Sequence, residues 1–195
     1  ITQDEKNYPW KYYPKLINSE LAEPLYQEVK DFCVHKKGTF NGKPYTVGRM
    51  SCLFVDQDYQ PSQSRSSYGR YAPHHITESP TLQEIRQEIE VCTNLHFPYA
   101  LVHIYRDGKD KIPWHRDNEA LNPDTTIVSI SLGATRKFRF REIGKTSGWV
   151  KEFSLQSGDM ILMMPGCQRE YMHTVPVESK IKDWRINITF RENLS

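Results

Sequence analysis

A chain of 195 residues can hold one domain with a sizeable core and is too short for two large ones. Its 37% hydrophobic and 26% charged residues are those of an ordinary soluble globule, and no apolar run approaches the roughly 20 residues that span a bilayer, which argues against a helical membrane protein. A net charge of +2 argues against any partner held by bulk electrostatics alone, while leaving room for a local basic patch.

The chain opens on Ile1 rather than Met, so a preceding segment is expected to be missing, and no secretory signal pattern is present. Leu21, Leu25, Val29 and Phe32 recur at helical spacing and predict a helix over 19–35, with Pro24 tolerable near its first turn. Asn41-Gly42 suits a type I′ hairpin turn, from which 43–54 returns as strand. Residues 57–78 are rich in Ser, Gln, Pro, Gly and Tyr and read as a long loop, of a length that is usually functional or disordered. Ser79-Pro80 opens a second helix with its cap in place, and Leu82, Ile85, Ile89 and Cys92 form its apolar stripe. From Tyr99 onward short strands follow one another: 99–105, 126–133, 136–142, 149–155, 159–164, 170–176 and 185–191. The expected architecture is a single α+β domain, with helices and a lid over 1–98 and a double-stranded β-helix, or jelly roll, over 99–195. Cys33, Cys52, Cys92 and Cys167 are scattered with no CxxC pair. They read as free thiols in a reducing compartment, so the expected location is intracellular, nucleus or cytoplasm.

Three segments carry chemistry. In His115-Arg116-Asp117, Pro113 disfavours helix, and in extended chain residues i and i+2 project to the same side. On a helix the two would diverge by about 200° and share nothing. An imidazole beside a carboxylate suits a borderline divalent metal such as iron. Of the other histidines, His173 lies downstream on a predicted strand in the β-rich half and is the candidate third ligand. Two histidines and a carboxylate on one face of an octahedral ion leave three positions, enough for a bidentate keto acid and dioxygen. The third segment, 185–191, alternates Ile186, Ile188 and Phe190 with Arg185, Asn187, Thr189 and Arg191. Its polar face either meets water or serves a ligand; arginine forks are the preferred partners of carboxylates, and 2-oxoglutarate carries two.

His-Arg-Asp, a distal His, then Arg-x-Asn-x-Thr-x-Arg about twelve residues later resembles the AlkB family of Fe(II)/2-oxoglutarate-dependent dioxygenases, nucleic-acid demethylase branch. Tyr105-Arg106-Asp107-Gly108, Ser129–Arg136 and Ser157-Gly158-Asp159-Met160 agree with it, and the likeness is close over 99–195 and loose before that. The resemblance implies that His115, Asp117 and His173 bind iron(II). It also implies that Arg185 pairs with the distal carboxylate of 2-oxoglutarate, and that Asn187, Arg191 and Tyr105 complete the clamp. His103 stands where the family has asparagine, and can still donate a hydrogen bond to a carboxylate.

The implied reaction is oxidative removal of N-alkyl groups from bases in methylated DNA or RNA, with dioxygen consumed and formaldehyde, succinate and carbon dioxide released. Tyr68 is the expected stacking aromatic, and Arg49, Asn118 and Glu119 are the further expected substrate contacts, Asn118 replacing an acidic residue common in the family. Lys36, Lys37, Lys43, Lys109, Lys111, Arg116, Arg136, Lys137, Arg139 and Arg141 are candidates to track phosphates. No membrane partner is expected, and a monomer is favoured. Two alternatives stand beside this: an AlkB-like oxygenase acting on protein or a small molecule, and a non-catalytic jelly-roll binding module.

Overall fold

The computed structural model describes residues 7–56, 72–117 and 124–192. Two sheets form its centre. The larger runs, in spatial order, β1 (Trp10–Tyr13), β10 (Met160–Met163), β7 (Ile127–Gly133), β12 (Arg185–Arg191), β5 (Tyr99–Tyr105), β3 (Lys43–Val55) and β2 (Val34–Phe40), and β4 (Pro73–His75) adds a parallel pair to β3. The smaller runs β6 (Ile112–His115), β11 (Tyr171–Val175), β8 (Arg136–Glu142) and β9 (Lys151–Leu155). Neighbours in space are distant in sequence, as the crossovers of a jelly roll require.

β12 is the central strand. Each of its residues pairs on both sides, from Arg185 with Tyr105 and Gly133 to Arg191 with Tyr99 and Ile127, and all seven are buried. Ile186, Ile188 and Phe190 join the core formed with α1 (Ala22–Val29) and α2 (Pro80–Thr93), through Leu25, Val29, Leu82, Ile85 and Ile89. The period of two then turns Arg185, Asn187, Thr189 and Arg191 away from the helices, to the inner side of the sheet. The polar face of this strand is therefore interior rather than in water.

The remaining elements follow local chemistry, with three corrections. The helix expected over 19–35 is a 3-10 turn at Ser19–Leu21 followed by α1, which stops at Val29. The Phe32 and Cys33 N–H groups close back on the Val29 carbonyl, and Val34 is already paired with Ser51 in β3, so sheet pairing outcompetes a fourth helical turn. In α2, Ser79 Oγ accepts from Leu82 N as expected, and Glu28 of α1 binds Ser79 and Thr81, tying the two helices together. Cys92 is exposed rather than buried, because the last turn of α2, where Val91 is also exposed, extends past the buried strip. The core is not confined to 99–195: β1, β2 and β3 belong to the same sheet as β5 and β12. β1 also carries Trp10, which stacks on Phe140 at 3.9 Å and meets Tyr171 edge-on at 4.9 Å, sealing the space between the sheets. The hairpin turn is as expected, with φ of 50° at Asn41 and 74° at Gly42.

The loop from β5 to β6 is pinned from two sides, which places the start of the metal-binding segment. Asp110 accepts from Arg106 N at 2.9 Å, Nε at 2.8 Å and Nη2 at 2.9 Å, and a Cβ on Gly48 would collide with its carboxylate. Arg136 donates to the carbonyls of Asp107, Asp110 and Pro176 and pairs with Glu178 at 3.1 Å, so this residue, expected to track phosphates, is instead a buried clamp joining the loop to the exit of β11. Asp110→Asn is expected to lower stability by about 1–3 kcal/mol at neutral pH, the value of hydrogen bonds to a charged group. Burial works against the Asp110 carboxylate, but Arg106 outweighs it and holds its pKa below the ordinary value. A depressed folded-state pKa stabilises above the ordinary carboxylate value, and that stabilisation is lost as pH falls through the lowered one. Urea midpoints of the two proteins should therefore differ at neutral pH and converge in acid.

Candidate metal centre and cosubstrate pocket

His173 and His115 are direct register partners on β11 and β6, with ring centroids 4.2 Å apart. Asp117 lies two residues beyond His115, and its Oδ1 is 3.6 Å from His115 Nε2 and its Oδ2 3.4 Å from His173 Nε2. Among the described residues these three are the group whose ligand atoms all lie within 4.8 Å of one another. Donors at about 2.1 Å from one ion are about 3 Å apart when cis and about 4.2 Å when trans, and both measured separations lie between these limits, within reach of one shared ion.

Electrostatics agree with that use. The separations exceed ordinary hydrogen-bond lengths, and the buried Asp117 Oδ2 and His173 Nδ1 have no hydrogen-bond partner among the described residues, a costly state unless a cation completes the carboxylate. His115 Nδ1 lies 2.8 Å from the Pro113 carbonyl, so Nδ1 carries the proton and Nε2 presents a lone pair. Burial, and then the neighbouring His173, push the His115 pKa down to about 4. Burial alone would raise Asp117, but the facing His173 imidazole holds it down to about 2. At neutral pH the centre therefore offers an anionic carboxylate and a neutral imidazole, the protonation states a divalent ion needs. The residues fit iron.

These donors line a narrow pocket with about 20 Å³ of free interior, whose apolar wall is Phe138, Met163, Val175 and Ile112. His103, Tyr105, Asn187 and Arg191, four of the five residues expected to hold the cosubstrate, line it. Arg191 Nη2 is 3.4 Å from Asp117 Oδ1, which places one guanidinium against the metal centre. Burial pushes Arg191 down to about 9, still protonated at neutral pH. The fifth residue, Arg185, flanks the cavity rather than lining it. It donates to Ser131 Oγ at 2.8 Å and lies 5.1 Å from the Tyr105 ring, whose other neighbour is Arg136 at 5.5 Å. Burial pushes Arg185 down to about 10, with Tyr105 opposing.

Asn187 spends its amide on Ser129 Oγ and the Ile130 carbonyl, at 2.8 and 3.0 Å. His103 contacts Ser51 Oγ at 2.6 Å through Nδ1; burial, and then Arg49, push its pKa well down, so it is neutral. With the Ser51 hydroxyl as donor, Nε2–H remains available, so the histidine can supply the donor that an asparagine would.

Arg49 Nη1 donates to the Lys111 carbonyl at 3.0 Å, on the chain that leads into His115. Tyr68, Asn118 and Glu119 lie outside the described residues. Of the other candidates for phosphate contact, Arg139 is spent on Glu152 at 2.6 Å and on the face of Trp149, and Arg141 covers Trp114 at 4.1 Å. Sequence reasoning missed Ser51, Ser129, Phe138 and Gln168. The alternation of Ser129 and Ser131 with Val128, Ile130 and Leu132 is the signal that marks the inner face of β7. Gln168 carries no such signal.

Two imidazoles and one carboxylate converging within 4.8 Å, set in a jelly roll beside the inward guanidinium groups of β12, define an iron(II) oxygenase that uses a keto-acid cosubstrate. The chain belongs to the 2OG-Fe(II) oxygenase superfamily, whose family profile matches residues 10–191. It is AlkB-like within it: the chain is 35% identical to human "DNA oxidative demethylase ALKBH2" over 93% of its own length and 72% of that protein's. It is 34% identical to mouse "Alpha-ketoglutarate-dependent dioxygenase alkB homolog 3" over 92% of its own length and 64% of the relative's. The solved structure of OsALKBH1 superposes with a TM-score of 0.61 at 16% identity, covering 97% of this chain and 99% of that one, which shows the shared fold. The protein is a dioxygenase with iron(II) and 2-oxoglutarate as its cofactors. A binding module with no chemistry is set aside by this membership and by the complete donor set.

Proposed function

We propose that the protein removes N-alkyl groups from nucleobases of methylated DNA or RNA by oxidation. What carries the reading is a complete donor set beside an interior arginine row, in a chain that is a third identical to a DNA demethylase over nearly its whole length. His115, Asp117 and His173 would hold the iron; Arg185, Asn187, Arg191, Tyr105 and His103 would hold 2-oxoglutarate. Iron(II) with this cosubstrate supplies oxidation of an N-methyl C–H bond by dioxygen, giving succinate and carbon dioxide and, once the hydroxymethyl group leaves the base, formaldehyde. The chain's own part is to fix the diacid between Arg191 at the metal and Arg185 at the far end. It also keeps water from the reacting methyl with Phe138, Met163 and Val175.

Substrate contact falls mainly to the region over 1–98, for which we propose the role of a recognition lid, with Asn118 and Glu119 joining it from beyond Asp117. The β2–β3 hairpin presents Phe40, 72% exposed, and Tyr45 beside Lys37 and Lys43, an aromatic and cationic tip suited to bases and phosphates. Arg49 lies further along β3, and Tyr68, Asn118 and Glu119 complete the proposed set. Phe40→Ala is expected to weaken oligonucleotide binding by about 1–3 kcal/mol, roughly 5- to 150-fold in Kd, with the KM for 2-oxoglutarate unchanged. Fluorescence anisotropy with a labelled strand measures the first and succinate formation the second. We further propose that the protein works as a monomer inside the cell, in nucleus or cytoplasm.

The reading is tested by incubating the protein with iron(II), ascorbate and 2-oxoglutarate and a panel of methylated DNA and RNA oligonucleotides. Mass spectrometry should show one methyl lost per succinate formed. Succinate without methyl loss would move the substrate to protein or a small molecule, and no succinate under any condition would reject the activity.

A further inference from the structure

We infer that Gln168 is a positioning residue of the metal centre, its side-chain carbonyl holding the Asp117 main chain so that the Asp117 carboxylate is aimed between His115 and His173. The inference rests on the reading of those three residues as metal ligands. It starts from an accounting of backbone hydrogen bonds. The β6–β11 ladder has its last pair at His115 and His173, so Asp117, two residues on, has left the strand that could pair its N–H. A buried N–H needs an acceptor. Gln168 Oε1 is that acceptor, at 2.7 Å, across a sequence separation of 51 residues. The amide orientation is set by this contact, because only the oxygen can accept from a main-chain N–H.

The side chain is poorly explained as packing. Gln168 is 2% exposed, and among the described residues its Nε2 finds only the Met163 thioether, a weak acceptor, at 3.4 Å. A buried carboxamide so incompletely satisfied is costly, and an apolar side chain of similar length would fill the volume without that cost. What an apolar side chain cannot do is fix the Asp117 backbone.

The location of Gln168 adds a second link. It sits on α3 (Cys167–Glu170), a single turn that leads directly into β11 and His173. The segment that supplies one ligand therefore grips the main chain of another, while His115 is fixed separately by its ladder pairing and by the Pro113 carbonyl. Metal sites tolerate misplacement of a ligand by only about 0.5 Å or 10–20°, so loosening the Asp117 backbone should be felt at the ion.

Gln168→Met keeps the length and apolar bulk and removes the acceptor. Manganese(II) binding by isothermal titration calorimetry, without cosubstrate and without turnover, should weaken roughly 10- to 100-fold, the usual effect of losing a group that orients a ligand. The metal-free melting temperature should change little, because the cost of leaving the Asp117 N–H without its acceptor is offset by no longer burying an incompletely satisfied carboxamide. A merely structural role predicts the reverse: a lowered metal-free melting temperature and unchanged manganese affinity, and that result would overturn the inference. Should the variant fail to fold, amide exchange of the wild type decides, since the Asp117 N–H must be protected in the metal-free protein and fast exchange there would overturn the inference. Wild-type protein that binds no manganese at all would reject the ligand set itself, whereas equal binding by wild type and variant would reject only the role of Gln168.

Discussion

His115→Ala is expected to lower succinate formation by at least roughly 1000-fold, while the metal-free protein keeps its fold. Losing one of three donors removes a metal contribution of several kcal/mol, and each 1.4 kcal/mol is tenfold. The fold should survive because His115 is half-buried at the end of an edge strand, and among the described residues its imidazole makes one hydrogen bond, to the neighbouring Pro113 carbonyl. The signature is therefore a split. Wild type should be stabilised by manganese(II) in a thermal melt and the variant should not, with the two metal-free melting temperatures close together. Turnover in the variant within tenfold of wild type would remove His115 from the metal.

Arg185→Met is expected to have two effects of opposite sign. In the cosubstrate-free protein the guanidinium is 1% exposed, and its Nε and Nη1 make no hydrogen bond among the described residues. A buried charge so incompletely paired is stabilised little by its surroundings, and an apolar side chain of similar volume is often neutral or better by about 1–4 kcal/mol. The cosubstrate-free melting temperature should hold or rise. With 2-oxoglutarate present the order reverses, because truncating one member of a buried, hydrogen-bonded charge pair costs about 2–5 kcal/mol. The KM for 2-oxoglutarate should rise roughly 30-fold or more, and the thermal stabilisation by 2-oxoglutarate should vanish. A KM within threefold of wild type would mean that Arg185 does not reach the cosubstrate, and that its place behind Tyr105 is structural.

The centre was legible in part. Pro113 disfavours helix and marked His115 and Asp117 as neighbours two residues apart, although β6 ends at His115 and Asp117 lies beyond it, and the alternation at 185–191 marks a strand with two chemically distinct faces. Which face turned inward was not legible from that strand. It was settled by β5 and β7 covering both edges of β12 and by the helices taking Ile186, Ile188 and Phe190. β1 went unseen because Trp10–Tyr13 has no clean alternation; its place is dictated by its distant partner Met160–Met163, with Trp10 opposite Met163 and Tyr13 opposite Met160. The early end of α1 was hidden for the same reason, since Phe32 keeps helical spacing while Val34 is claimed by Ser51. Gln168 illustrates the limit most plainly. Its role depends on one contact across 51 residues, and neither composition nor period records such a contact. Arg136 makes the complementary point: an arginine in a basic run reads as a surface cation, yet three carbonyls and Glu178 enclose it.

Crystals of the protein grown with manganese(II) and 2-oxoglutarate, with anomalous data collected at the manganese edge, test the central claim most directly. A single anomalous peak should lie about 2.0–2.2 Å from Nε2 of His115, Nε2 of His173 and one Asp117 oxygen, with the keto acid chelating the ion and its far carboxylate against Arg185. A peak elsewhere, or 2-oxoglutarate bound away from the β12 arginines, would contradict the account.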